Sequence, residues 1–154
     1  MKVVVPYVEL HPVTLQVTEP YDPEYVHLVG DDAYRQLMHR LWQEGEPFVI
    51  VEHDIIPWPG AIEELFACSC AWGAYSYKLH GGIGIYHGFG CTKITPDLMD
   101  ATPCIWSQPA HWNTLDQRLW FAARAKGLEP HPHRPAVTHL STRHQRNDGW
   151  VEQG

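Results

Sequence analysis

No run in this chain approaches the roughly 20 consecutive apolar residues that a membrane-spanning helix needs. Its opening, Met1-Lys2-Val3-Val4-Val5-Pro6, is broken by proline too early for a secretory leader. These two absences make the expected setting cytoplasmic. Positive charge is scarce as well: 11 Lys and Arg stand against 18 Asp and Glu, for a formal net charge of −7. A surface so composed is ill suited to gripping nucleic acid through phosphate neutralisation, and a nucleic-acid partner is not favoured. Cysteine occurs at Cys68, Cys70, Cys91 and Cys104, without a Cys-x-x-Cys pair. In a cytoplasmic chain such cysteines are expected to be free and mostly buried thiols. No internal repeat is present. A length of 154 residues suits one hydrophobic core and is too short for two ordinary domains.

What is present begins with residues 46–60, Glu-Pro-Phe-Val-Ile-Val-Glu-His-Asp-Ile-Ile-Pro-Trp-Pro-Gly. Phe48–Val51 is too short for a helix and rich in β-branched residues, the pattern of a strand buried on both faces of a parallel sheet. Glu52, His53 and Asp54 follow at its carboxyl end. In open α/β sheets ligands sit at that end, and carboxylates there suit hard cations such as Mg²⁺ or Mn²⁺. Pro57 and Pro59 are expected to end ladder pairing, and Gly60 to introduce a short helix over Ala61–Ala67.

Elsewhere, residues 2–8 read as a strand interrupted by Pro6, and residues 25–29 as a second strand ending at Gly30. Residues 12–23 carry no clear period. Asp32 is placed to cap a helix whose Tyr34, Leu37, Met38, Leu41 and Trp42 form an apolar stripe and which Gly45 closes. A glycine-rich β segment spans residues 74–94, and an irregular stretch runs on through Pro103 and Pro109. Thr114 and Gln117 match a capping box for a helix that continues to Gly127. Residues 136–140 form a last strand. The expected organisation is one domain over residues 1–140 and a polar tail over 141–154. Strands alternating with helices, followed by an antiparallel middle, predict an α/β fold: a mixed sheet with a Rossmann-like nucleotide-binding N-terminal half.

In this order the motifs resemble a compact GT-A glycosyltransferase of the family 2 kind, with its Asp-x-Asp-type metal motif. Val3-Val4-Val5-Pro6 is similar to the first strand of that fold, and Leu28-Val29-Gly30-Asp31-Asp32 to its second strand and acidic turn. Glu52-His53-Asp54 looks like the metal motif, with Glu in place of the first Asp, and the segment from Pro59 to Leu65 looks like the helix after it. Gly88-Phe89-Gly90-Cys91-Thr92-Lys93-Ile94 resembles the segment below the acceptor site. Residues 112–116 resemble the start of the helix that bears a catalytic acid, and Val137-Thr138-His139 a late metal-binding histidine. The order holds over residues 2–140.

That resemblance implies transfer of a sugar from a nucleotide-sugar, a UDP-sugar foremost, to an acceptor hydroxyl with inversion. It implies Mn²⁺ or Mg²⁺ held by Asp54 and His139 with help from Glu52, and donor contacts from Pro6 and Asp31. A metal bridging the phosphates would neutralise the charge growing on the leaving group. An acceptor hydroxyl needs a carboxylate to take its proton, and Asp116, in the first turn of a helix whose dipole favours the ionised form, is the candidate base.

Other residues carry weaker signals. Trp58, Trp72, Tyr75, Tyr77, Tyr86, Trp106 and Trp112 crowd the middle of the chain; sugar faces pack on aromatic rings, and Trp58, between two prolines beside the metal motif, is the candidate platform. His131-Pro132-His133, His139 and His144 follow His80, His87 and His111. With no helical His-x-x-x-His pair they read mostly as surface or hydrogen-bonded core residues rather than a zinc site. Gly81-Gly82-Ile83-Gly84 reads as strand bends or a hairpin, because no helix start follows it. Glu63 and Glu64 read as a solvated helix face. Strand-end acids are shared with metal-dependent nucleotidyltransferases and phosphohydrolases. An aromatic platform also suits a non-catalytic carbohydrate- or nucleotide-binding module, in which Asp116 would be dispensable.

Overall fold

The structure, a computed structural model, describes residues 1–78, 84–85, 88–141 and 145–147, with the backbone alone at 78, 84, 85, 141 and 145–147. His80, Tyr86, His87, His144 and Gly81-Gly82-Ile83 lie outside the described residues. The order is β1 (Lys2–Tyr7), α1 (Pro12–Thr18), a 3-10 turn (Glu19–Tyr21), β2 (Glu24–His27), α2 (Ala33–Glu44) and β3 (Phe48–Val51). There follow β4 (Ile55–Pro57), α3 (Ala61–Ala67), β5 (Trp72–Tyr75), β6 (Tyr77–Lys78), β7 (Gly84–Ile85), β8 (Cys91–Ile94) and α4 (Pro96–Ala101). A 3-10 turn (Trp112–Thr114) enters α5 (Leu115–Arg124), before β9 (His131–His133), β10 (Val137–Ser141) and β11 (Gln145–Asn147). Among the described residues no helix is long and apolar enough to cross a membrane.

Six strands make one mixed sheet in the order β2-β1-β3-β8-β5-β9. The β1–β2, β1–β3 and β5–β9 pairs are parallel, while β8 runs against both its neighbours. The chain leaves β1 toward one side for β2 and returns past it to the other side for β3, so the winding reverses at β1. Alternation along the strands builds two cores, one on each face. Val4, Phe48, Ile50, Trp72 and Ile94 pack against the stripe of α2 and against Leu98, Leu115 and Leu119. Val3, Val5, Val49, Val51 and Tyr75 pack instead against α3, Ile55 and Val137. Helices on both faces of a mixed sheet define a single-domain α/β architecture.

Pro6 does not interrupt β1. Leu28 N–H donates to the Tyr7 carbonyl, so Tyr7 aims its main-chain groups at β2 and Pro6, one residue back, aims away from it. Pairing with β3 has already ended at Val4↔Ile50, and the missing N–H forfeits no ladder bond. Nor do the later prolines end pairing. β4 pairs antiparallel with β10 through Val137↔Pro57, and the Trp58 N–H continues the contact to the Ala136 carbonyl.

The segment without a clear period holds α1, with Pro12 at its start and His11 Nδ1 accepting from the Val13 N–H. α4 lies within the stretch expected to be irregular, again opened by a proline. The capping box at Thr114 is not formed. The Thr114 hydroxyl donates to the His111 carbonyl and the Gln117 N–H is taken by Asp116, because the 3-10 turn moves the cap back to His111. Asp32 precedes α2 without capping it; its carboxylate accepts from Arg35, Gln36 and the Ala110 N–H instead. Gly45 closes α2 at φ +70° as expected.

Cys68 and Cys70 are joined as a disulfide rather than free, their Cα atoms 5.5 Å apart, within bonding reach. Cys91 is buried and free, and Cys104 is free and exposed. β6 and β7 pair antiparallel through Tyr77↔Ile85 and Lys78↔Gly84. β11, inside the segment expected to be a polar tail, pairs antiparallel with β10.

Candidate functional site

The carboxyl ends of β1, β2 and β3 open into a cleft of about 500 Å³. Glu52 enters it straight from β3, its N–H bonded to the Gly90 carbonyl and its Oε2 accepting from the Tyr34 hydroxyl at 2.9 Å. Burial, then the charges of Asp54 and Asp116, push the Glu52 carboxyl from 4.5 up to about 8. The turn after β3 is pinned at two points. His53 Nδ1 accepts from the Val8 N–H at 2.9 Å, and the Leu140 N–H donates to the Asp54 carbonyl at 2.7 Å. On β10, His139 stands opposite Ile55 and brings Nε2 to 3.1 Å from Asp54 Oδ2. Two side chains 85 positions apart in sequence thus meet at the cleft.

Asp116 reaches the same cleft from the first turn of α5. Its charge is felt at Glu52, Tyr34 and Tyr77. Pro6, Val8, Leu28, Phe89 and Trp112 supply apolar wall. Tyr77 lies against His139, the ring centroids 5.3 Å apart. Burial, with Glu52 next, pushes the Tyr34 and Tyr77 hydroxyls well above the usual tyrosine range, so both remain neutral.

Pro6, Glu52, Asp54, Asp116 and His139 are therefore brought together. Asp31 and Trp58 are not among the cleft-lining residues. The Asp31 side chain is 82% exposed beside Gly30, with His111 Nε2 3.9 Å away. Trp58 donates its indole N–H to the Thr138 hydroxyl at 3.0 Å. Tyr34, read from its spacing as part of a core stripe, turns out to serve the site; a buried tyrosine needs a partner for its hydroxyl, and that was the available signal. Tyr77 and Phe89 come from the glycine-rich segment, where no period marks a face.

The donor set suits a divalent cation. Asp54 Oδ2 and His139 Nε2, 3.1 Å apart, match the roughly 3 Å between adjacent ligands of a six-coordinate ion with bonds near 2.1 Å. Mg²⁺-type sites take one or two protein carboxylates and complete themselves with substrate phosphates and water; Glu52 lines the same cleft, its carboxyl raised to about 8 and its Oε2 bonded to Tyr34.

A mixed sheet flanked by helices, with a cleft at the carboxyl ends of its parallel strands, is the arrangement of a single-domain GT-A-like fold. Solved structures share it. A197 from STIV superposes with a TM-score of 0.60 at 10% identity, covering 92% of this chain and 86% of that one. A glycosyltransferase involved in glycosylation of the major capsid of PBCV-1 gives a TM-score of 0.54 at 12% identity, covering 92% of this chain and 94% of the other. At such identities the likeness is one of fold. No protein-family model matches the sequence, and no curated protein matches it.

Proposed function

We propose that the chain is a metal-dependent glycosyltransferase that moves a sugar from a nucleotide-sugar, a UDP-sugar foremost, to an acceptor hydroxyl with inversion. The observation that carries this reading is the Asp54–His139 pair at 3.1 Å, set at the carboxyl ends of parallel strands in a cleft that Asp116 also lines. Asp54 and His139 would hold Mn²⁺ or Mg²⁺, with Glu52 beside them; such an ion, when bound, supplies positive charge to the departing diphosphate. Leu28, Val8 and Pro6 offer an apolar wall for the base. Asp31, one residue beyond Gly30 at the cleft, is the candidate acceptor of a hydrogen bond from the base imide or ribose. Asp116, in the first turn of α5, takes the proton of the acceptor hydroxyl at its carboxylate.

A thermal-shift titration tests the reading, since a ligand that binds only the folded state raises its stability by mass action. UDP with Mn²⁺ should raise Tm well above UDP with chelator. Equal shifts in the two conditions would remove the metal, and no shift in either would remove the nucleotide.

A further inference from the structure

At the sheet edge farthest from β2, four residues that none of the cleft chemistry uses converge. β9 carries His131 and His133, two positions apart and hence on one face of the strand. It pairs parallel with β5 so that His131 lies opposite Gly73. The loop after α3 brings Cys68 and Cys70 to the same place. Ligand atoms of Cys68, His131 and His133 all lie within 4.8 Å of one another. Gly73 leaves the space into which Cys70 and His133 point: a Cβ there would stand 3.0 Å from Cys70 Sγ and 3.1 Å from His133 Nε2.

The decisive feature is His133. Its side chain is only 6% exposed, and its Nε2 has no hydrogen-bond partner among the described residues. Its other ring nitrogen, Nδ1, lies 3.0 Å from Glu64 Oε1, and Glu64 also accepts from the Tyr75 hydroxyl. Glu64 is thus engaged in the fold, not the purely solvated residue expected. A carboxylate on one imidazole nitrogen that leaves the other bare is the arrangement that orients a metal-bound histidine. The Cys70 N–H points at Cys68 Sγ, 3.4 Å away, a contact that favours a thiolate.

We propose that the reduced chain binds one Zn²⁺ through Cys68, Cys70, His131 and His133. Two thiolates and two imidazoles form a closed structural zinc set, soft enough to disfavour Mg²⁺ or Mn²⁺. The disulfide must first be opened by a thiol or phosphine reductant, which supplies two electrons while solvent supplies two protons. The ion then displaces both thiol protons to solvent. Bound there, it fastens the edge strand β9 to the end of α3. His131 and Ser69 are exposed and mark the way in.

Metal analysis of the whole chain, reduced with a phosphine, mixed with Zn²⁺ and desalted, is the test. The expected result is about one zinc per chain, a higher Tm than the metal-free protein, and a thiolate-to-metal absorption band when Co²⁺ replaces Zn²⁺. Zinc should be lost in Cys68→Ser and in His131→Gln, and retained in Asp54→Ala/His139→Ala. His131 is exposed, so its replacement leaves no cavity and decides the matter if Cys68→Ser fails to fold. Three results would each overturn the assignment: no zinc in the reduced chain while circular dichroism shows it folded, zinc retained in His131→Gln, or zinc lost with the cleft pair. The last would give the ion to the cleft; the first would leave Cys68–Cys70 a plain disulfide. The first result does not bear on nucleotide binding, which the UDP titration reads separately.

Discussion

Asp116 is where a transferase and a binding module part company. Asp116→Asn keeps the size of the side chain and an oxygen for the Gln117 N–H but removes the basic carboxylate. UDP and Mn²⁺ should still raise Tm, while sugar transfer falls about 100-fold or more, the scale of lost general-base assistance. Full transfer by this variant would place the base elsewhere. Asp54→Ala and His139→Ala should each abolish the Mn²⁺-dependent part of the UDP shift while far-UV circular dichroism stays unchanged, because both side chains line the cleft. Loss of the native spectrum in either would make the pair structural. Glu52 and Asp54 could be placed at a sheet end from the sequence because they follow an unmistakable buried run, whereas Asp116 and His139 are named only through the family resemblance. The geometry between Asp54 and His139 could not be read there, since it depends on β10 returning across 85 positions.

Two elements make sharper demands than their sequences suggest. Asp32 ties the start of α2 to the loop at Ala110, and its bond to Arg35 holds the carboxyl well below 3.8, helped by the Ala110 N–H. A folded value below the unfolded one means that this contribution is present above pH 3.8 and is lost as the pH falls below it. Asp32→Asn should therefore melt at a lower temperature than wild type at neutral pH, with the gap closing in acid. A gap that stayed constant with pH would show that the charge does not matter. Gly90 is the second case. A Cβ there would stand 2.5 Å from Tyr77 Cε1 and 2.8 Å from Cζ, so Gly90→Ala must displace the tyrosine. Overpacking of this kind costs about 1–3 kcal/mol, and denaturant titration should read it together with weakened UDP binding.

Across the molecule, the two cores share one sheet and should not unfold apart. Ile50→Ala on one face and Leu65→Ala on the other should each cost about 2–5 kcal/mol. In both, tryptophan fluorescence and far-UV circular dichroism should trace one coincident transition. Separate midpoints would divide the chain into two units. The α/β class, the stripe of α2 and the buried β3 were legible because each is a local pattern. β8 runs antiparallel to β3 and β5, in line with the antiparallel middle read over residues 74–94, but which strands it pairs with was not legible, since pairing joins distant segments. β9 escaped notice altogether: His-Pro-His has no strand signature, and only pairing with Gly73, Ala74 and Tyr75 makes it one. The proline-opened α1 and α4 were missed because a proline marks a helix start and a loop equally well.

The seam between β4 and β10 sets an order on assembly during synthesis. On a ribosome, β1, β2 and β3 emerge early and can associate while the rest of the chain is still being made. The cleft they form then has Asp54 without His139, which follows 85 positions later and reaches Asp54 only when β10 docks. A nascent chain stalled before β10 would thus carry the six strands of the main sheet and none of the completed Asp54–His139 pair, so that the proposed capture of nucleotide and metal would wait for β10.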